Sequence, residues 1–520
     1  MPKPAKAGSG RKPRRLSPSR RKLALIIALI CGASLLAGVL GFDRWPSTLG
    51  DNAEFAILGI SLASGRGFRY VNHPEERPAT KYPPGFPLMV AGWISIFGNT
   101  ILSMKTLVLV CYLAAMAVTY LVARKLLDGT LSLLAVFLAV SSYTVLSYSH
   151  QILSDIPYTL FSLLALLLLL GEGRTRTSML VAISISLWAY LVRTVGVSLV
   201  FAVFVLLLHR HRRREAIALA ASFVAVSVLW AVRNYTMTGE GNRYLGVLLS
   251  ADPYAPDKGS ISLGGLLGRG WTNLSSYVGS LLPADLFPSL VFGSGTRGTA
   301  LGGLISVMIT AVACFGGYVL RKRALVVNVY VLGYFAVYLA WPEIWKSERF
   351  MVPIAPIVGI YFFAGINRLL AYFDVKRAVT LVVCTILVLS NLISLQEFVR
   401  RDRGYPPGWN NYFDTAMWVR DNTPEDTLVL CRKPFLFYVF SRRRTIAYPF
   451  TSDRQVMRDY LLEAKPDYII LEDFGGVSTT EVYVVPVLQG MLPYLEQLYM
   501  TGEPSNTVLR FFWEEAASRQ

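Results

Sequence analysis

Residues 178–214 read SMLVAISISLWAYLVRTVGVSLVFAVFVLLLHRHRRR. From Ser178 to Leu208 the sole charged side chain is Arg193, and the run ends in the basic cluster His209–Arg214. One helix over 178–208 would be about 46 Å long at 1.5 Å per residue, well beyond the ~30 Å hydrocarbon core of a bilayer. The stretch therefore reads as two apolar spans, 178–192 and 194–208, joined by a tight hairpin with Arg193 at its tip. The basic cluster marks the opposite, cytoplasmic end, because positive charge is retained on that side.

The same pattern extends outward. Further apolar runs lie at 23–42, 102–123, 130–149, 156–171, 216–232, 300–320, 324–341, 351–367 and 378–396, about 11 spans in all. With the N-terminus inside, the cytoplasmic turns hold Arg124/Lys125, Arg174/Arg176, His209–Arg214, Arg321-Lys322-Arg323 and Arg368/Lys376/Arg377, and every one is basic. The outer segments are then 43–101, 150–155, Arg193, 233–299, 342–350 and 397–520. Leu23–Phe42 has no charge and no A-x-A-like cleavage site after it, so it reads as a retained signal anchor. Composition agrees: of 520 residues 53% are hydrophobic and only 16% charged, against about 25% in soluble domains. A disordered chain is excluded, and a multi-pass protein of the cytoplasmic membrane is expected.

The formal charge is +18, but its placement argues against nucleic acid as a partner. Nine basic and no acidic residues fall within 1–22, whereas the stretch from Glu397 on has 14 basic and 17 acidic. The excess is thus divided among short turns on one side of the membrane rather than gathered into a binding stripe. Residues 1–22 are expected to be a disordered cytoplasmic segment in contact with anionic membrane lipids. Residues 397–520 are expected to form a small extracytoplasmic α/β domain, with strands at 427–431 and 467–471 and helices at 411–421 and 456–464. The five cysteines are far apart, four of them in apolar runs, so neither a disulfide framework nor a zinc site is expected.

Ionisable residues gather at the outer ends of spans, and the span centres are nearly free of charge. Asp51 opens a short amphipathic helix running to about Ser64, with Glu54 at its third position, a spacing that also suits a helix cap. Lys81-Tyr82-Pro83-Pro84-Gly85 is a proline-stiffened loop whose lysine either snorkels or meets a phosphate. Asp155 starts a span two residues before Pro157, where an acid commonly caps. Arg193 is lodged between apolar stretches and needs a counter-anion or water. Glu348-Arg349-Phe350 ends an outer turn, and Trp230 to Tyr235, with Arg233 and Asn234, closes another span.

In chain order these pieces resemble the GT-C membrane glycosyltransferases, in the branch of the lipid A aminoarabinose transferase and the protein O-mannosyltransferases. The matching segments are Asp51 followed by EFAILGISLASGRGF, KYPPGFPLMVA from Lys81, SDIPYTLF from Ser154, LVRTVG around Arg193, LWAVRNYTMTG from Leu229 and SERFMVPIAP from Ser347. They extend over about residues 23–400. The tail segment WVRDNTPEDTLVLCRKPFLFYVFSRR resembles the extracytoplasmic domain of some bacterial members. The chain departs from the pattern at Asp51-Asn52, where an acidic pair is common, and at Arg193, where aminoarabinose transferases tend to carry lysine.

The resemblance implies a mostly α, polytopic GT-C domain over 23–396 followed by the α/β domain at 397–520. It implies a polyprenyl-phosphate-linked sugar as donor and a lipid, glycan or protein as acceptor. Asp51, Asp155 and Glu54 are the catalytic candidates, with the base being Asp51 or Asp155. Lys81, Arg193 and Arg349 are the donor phosphate ligands, and Tyr82, Arg233, Asn234 and Glu348 support the cavity. Such a reaction displaces a lipid phosphate at the anomeric carbon. It needs fixed cations for the leaving group and a carboxylate to take the acceptor proton, which predicts inversion. No cofactor is required; a divalent metal near Asp51, Glu54 and Asp155 is compatible with the sequence but demanded by no ligand spacing. The alternatives are a polytopic transporter or lipid flippase, which calls for an intramembrane polar path or a repeat, and a non-catalytic envelope scaffold.

Overall fold

The computed structural model describes residues 18–43, 45–171, 175–239, 243–254, 258–292, 298–400, 404–474 and 479–518. Of the segment 1–22, residues 1–17 lie outside the described residues, while Arg20, Arg21 and Lys22 belong to the first helix, Pro18–Leu40. Among the described residues six helices are long and apolar enough to cross a membrane: Ser19–Leu40, Ile101–Leu126, Arg213–Thr238, Ala300–Val319, Ala355–Tyr372 and Arg377–Arg400. Six shorter apolar helices are interleaved with them, Gly85–Phe97, Gly129–Ser141, Asp155–Leu169, Arg176–Val192, Thr194–His209 and Leu325–Leu339. Ile217, Val224, Val228, Leu229 and Val232 all lie exposed on one helix, Arg213–Thr238. An apolar face of that size is tolerated where lipid rather than water surrounds it.

The structure departs from the sequence reading in two further places. The expected span 130–149 breaks into Gly129–Ser141 and Tyr143–Tyr148. Ser142 is extended there, its hydroxyl accepting from the Val145 amide (3.2 Å) and donating to Asp285 (3.0 Å), a local bonding scheme that competes with helix continuation. The loops are also more helical than expected. The segment 43–101 holds Gly85–Phe97 besides the expected Gly50–Ala63, and 233–299 holds Arg243–Leu249, Leu263–Ser276, Leu282–Leu286 and Pro288–Phe292.

Helices approach closely where glycine permits. A Cβ on Gly316 would come 1.7 Å from the Tyr361 carbonyl oxygen, which is how Ala300–Val319 and Ala355–Tyr372 pack. A second such contact places the loop that carries Lys81. Gly85 lies against the backbone of the Arg193 hairpin, where a Cβ would meet the Leu191 carbonyl carbon and oxygen at 2.6 Å.

The C-terminal residues form a five-stranded sheet from β1 (Leu428–Leu430), β2 (Arg444–Ile446), β3 (Tyr468–Leu471), β4 (Leu495–Met500) and β5 (Thr507–Phe511), in the order β2-β1-β3-β5-β4. β1 is parallel to β2 and β3, and β5 is antiparallel to β3 and β4. Helices Pro407–Asn422, Pro434–Ser441 and Arg454–Ala464 cover it, giving one apolar cluster with Met457, Leu461 and Ile469 and another with Tyr412, Phe437 and Ile470. The second cluster takes in Ala53 from Gly50–Ala63, so this domain packs directly on the first loop of the membrane domain. Thr445 donates its amide to the Asn72 carbonyl (2.7 Å), and the Tyr70 and Phe435 rings are 5.1 Å apart.

Gly85→Ala should therefore force the hairpin and the Lys81 loop apart and lower stability by roughly 1–3 kcal/mol. Gly92→Ala lies in the same helix, but its methyl group would meet nothing within 4 Å, so it should be neutral or slightly stabilising. Thermal unfolding of the two purified variants in detergent checks the contrast.

Candidate active site

At the Arg193 end of the bundle a cavity of about 1330 Å³ opens between the membrane domain and the C-terminal sheet domain. Its membrane-domain wall carries Asp51, Glu54, Tyr70, Lys81, Tyr82, Arg193, Tyr338 and Arg349, and its C-terminal wall carries Arg432, Lys433, Phe435 and Phe450.

Neither early aspartate caps its helix. Leu49 and Ser154 occupy the cap positions, without side-chain caps, and the carboxylates turn instead to cations from distant parts of the chain. Arg349 Nη1 donates to Asp51 Oδ2 (2.8 Å) and Nε to Asp155 Oδ2 (2.9 Å), so one guanidinium bridges both acids. Arg193 Nη1 lies 3.0 Å from Asp155 Oδ1 and donates to the Ser154 hydroxyl (3.1 Å), while Nη2 donates to the Tyr338 hydroxyl (3.3 Å). Lys81 Nζ donates to Glu54 Oε2 (2.7 Å) and lies 3.5 Å from Asp51 Oδ1. The Tyr82 hydroxyl donates to Asp51 and the Tyr70 hydroxyl to Glu54.

Exposure divides these groups. Asp155 is completely buried and Glu54 nearly so, whereas the Asp51 and Lys81 side chains are 31% and 38% exposed. Burial acts to raise the Asp51 carboxyl, but the charges of Lys81 and Arg349 and the Tyr82 hydroxyl outweigh it and hold the group well below the usual carboxylate range. Burial acts to lower Lys81, and Glu54 and Asp51 outweigh it and keep the ammonium charged well above its usual value. The cluster thus holds three acidic and three basic side chains in mutual pairs.

Local sequence sets these positions. Ser347 accepts the Arg349 amide (3.2 Å), fixing the turn from which that guanidinium reaches inward, and Tyr334 donates to the Phe350 carbonyl (2.8 Å). Arg233 and Asn234 do not line the cavity. Arg233 donates to the carbonyls of Ala79 and Phe68 and Asn234 to that of Thr80 (3.3 Å), pinning the strand-like loop that leads into Lys81. Glu348 is exposed and outside the cavity wall. Sequence reading passed over Tyr70, Tyr338, Arg432 and Lys433. It also passed over Lys105, whose buried ammonium donates to the Asp43 carbonyl (2.7 Å) and ties the end of the first helix to Ile101–Leu126. Among the described residues no group of three or more His, Cys, Asp or Glu side chains is placed to hold a metal ion.

Residues 81–233 match the family model of dolichyl-phosphate-mannose-protein mannosyltransferases. No curated protein matches the sequence. Among solved structures, the apo form of ArnT from Cupriavidus metallidurans is similar with a TM-score of 0.57 at 15% identity, over 95% of this chain and 98% of that one. The same protein bound to undecaprenyl phosphate gives 0.56 at 13% identity, over 94% and 98%. The archaeal oligosaccharyltransferase AglB from Archaeoglobus fulgidus, in complex with an inhibitory peptide and a dolichol-phosphate, gives 0.53 at 12% identity, over 87% of this chain and 69% of that one. The chain has the fold of these proteins and resembles the GT-C membrane glycosyltransferases, ArnT among them.

The bridging role of Arg349 has a direct consequence for stability. Arg349→Gln leaves the buried Asp155 with Arg193 alone and should lower stability by about 3 kcal/mol or more. Arg349→Lys should recover only part of this, since a point charge cannot reproduce the two-armed contact. Adding Asp155→Asn to Arg349→Gln should cause far less further loss than Asp155→Asn causes alone. Unfolding curves of the four variants in detergent measure that coupling.

Proposed function

We propose that this chain transfers a sugar from a polyprenyl-phosphate carrier to an acceptor hydroxyl, with inversion at the anomeric carbon. The observation that carries the reading is the interlocked carboxylate and cation cluster on the wall of a large cavity. It lies in a fold shared with an ArnT that binds undecaprenyl phosphate and an AglB that binds a dolichol-phosphate. In this reading the bundle crosses the cytoplasmic membrane with about 11 helices, and the cavity and the soluble domain face outward. The donor sugar is a hexose or pentose, and the acceptor a lipid, glycan or protein.

Lys81 and Arg349 take the donor phosphate. Lys81 is the most exposed of the three cations and Arg349 is the guanidinium that pairs with Asp51, and a phosphate offers them the same charge-assisted bonds that Asp51 and Glu54 offer at rest. Asp155 is fully buried beneath them and aligns Arg349 and Arg193, a positioning role. Asp51 is the base. Clamped by two cations its carboxylate is too weak a base to be useful, but a phosphate that draws Lys81 and Arg349 toward itself loosens that clamp and raises its basicity. The base is thereby switched on by the donor it serves. The acceptor oxygen attacks the anomeric carbon and its proton passes to Asp51. The bond from that carbon to the phosphate oxygen breaks with its electron pair on the phosphate, and the growing charge is met by fixed cations. Glu54, held by Tyr70, receives the Lys81 ammonium again when the carrier leaves.

Purified protein in nanodiscs, given a panel of radiolabelled polyprenyl-phosphate sugars, tests this. One donor should turn over. Asp51→Asn should bind that donor yet react roughly 10²–10⁴-fold more slowly, and Lys81→Ala should lose donor binding. If folded protein binds no donor in the panel, the reading is wrong.

A further inference from the structure

The six cationic side chains on the cavity wall are Lys81, Arg193, Lys346, Arg349, Arg432 and Lys433. Lys81, Arg193 and Arg349 are matched by Asp51, Glu54 and Asp155. Arg432 has Glu472 at 3.9 Å and lies over the Phe474 ring. Lys346 donates to the Ser276 hydroxyl (2.6 Å). The Lys433 ammonium has neither a hydrogen-bond nor an ion-pair partner among the described residues.

Lys433 is nevertheless held in place. It sits in the stretch Leu430-Cys431-Arg432-Lys433-Pro434, between β1 and helix Pro434–Ser441. Cys431, Leu436 and Phe437 on either side are buried in the soluble domain's apolar cluster, and the Lys433 amide donates to the Tyr412 hydroxyl (3.3 Å). The first turn of that helix borders the cavity and carries no side-chain cap, which adds positive potential at the same spot. Burial, Arg432 and Lys81 act against the Lys433 charge, and Asp51 and Glu472 act to keep it. Lys433 thus lines the same cavity as the membrane-domain cluster.

Counting charge shows what is missing. Each of the three basic side chains in the cluster already has an acidic partner, so a donor phosphodiester entering it brings a negative charge into a partly buried site that has no free cation of its own. A half-buried charge calls for a counter-charge nearby. Resting on the transferase reading above, we propose that Lys433 is a ligand of the donor's phosphate, so that the soluble domain supplies part of the active site. When the anomeric bond breaks, the phosphate becomes a monoester and gains negative charge. Three rotatable N–H donors on a flexible stem suit an anion whose charge changes during the reaction.

The test uses the full chain in nanodiscs and undecaprenyl phosphate as the probe, with binding followed by tryptophan fluorescence and folding by thermal unfolding. Lys433→Gln should weaken binding roughly tenfold or more, Lys433→Arg should keep most of it, and Arg510→Gln, elsewhere on the same domain, should leave it unchanged. If Lys433→Gln binds the probe as the native chain does while Lys81→Ala does not, Lys433 is not a phosphate ligand and this inference falls alone. It falls in the same way if Lys433→Gln alters only the dependence of turnover on acceptor. If the folded native chain does not bind the probe, the transferase reading fails and the inference with it.

Discussion

The Arg349 guanidinium, reaching Asp51 with one arm and Asp155 with another, is the contact on which the cavity depends. It joins positions 298 and 194 residues apart in sequence. Asp155 has no exposure and relies on the two guanidiniums that face it, and Asp51 could not be kept so far below its usual range without Arg349 and Lys81. Much of the surrounding architecture serves to bring these groups together. Gly85 lets the Lys81 loop lie on the Arg193 hairpin, Arg233 and Asn234 pin the approach to that loop, and Ser347 shapes the turn that aims Arg349.

A cluster of this kind is stable and inert while it is self-satisfied. Every acid in it has a cation and every cation an acid. In the proposed reading an incoming phosphate does not fill an empty hole but exchanges partners with carboxylates already present. Such an exchange costs little, because one charge-assisted bond replaces another, and it changes the basicity of what is left behind. In that reading binding and activation of the base are one event, and the carboxylate stays clamped when no donor is in place.

The helices were legible in the sequence because a bilayer leaves an exposed backbone no alternative to hydrogen-bonding within its own segment, so apolar runs announce themselves. The hairpin at Arg193 followed from length alone. What escaped was decided by single contacts. The break at Ser142 depends on a hydroxyl meeting Asp285, and helix Gly85–Phe97 follows so closely on two prolines that it reads as loop. Most of the cluster's members could be named from their places at the ends of spans, but their pairing could not, since Asp51 and Asp155 each fit an ordinary cap equally well. Arg432 and Lys433 escaped altogether. In a domain with near-balanced charge a basic pair before a proline looks like solvated surface, and only the docking of that domain through Ala53 and Phe435 turns it toward the membrane-domain acids.

The central claim is that a lipid phosphate takes Lys81 and Arg349 away from their carboxylates. A structure of the protein in nanodiscs with bound undecaprenyl phosphate addresses it most directly. The account requires the phosphate in this cavity, with the contacts of Lys81 to Glu54 and Arg349 to Asp51 lengthened and replaced by bonds to phosphate oxygens. A phosphate seated elsewhere, with both ion pairs at their resting distances, would contradict it.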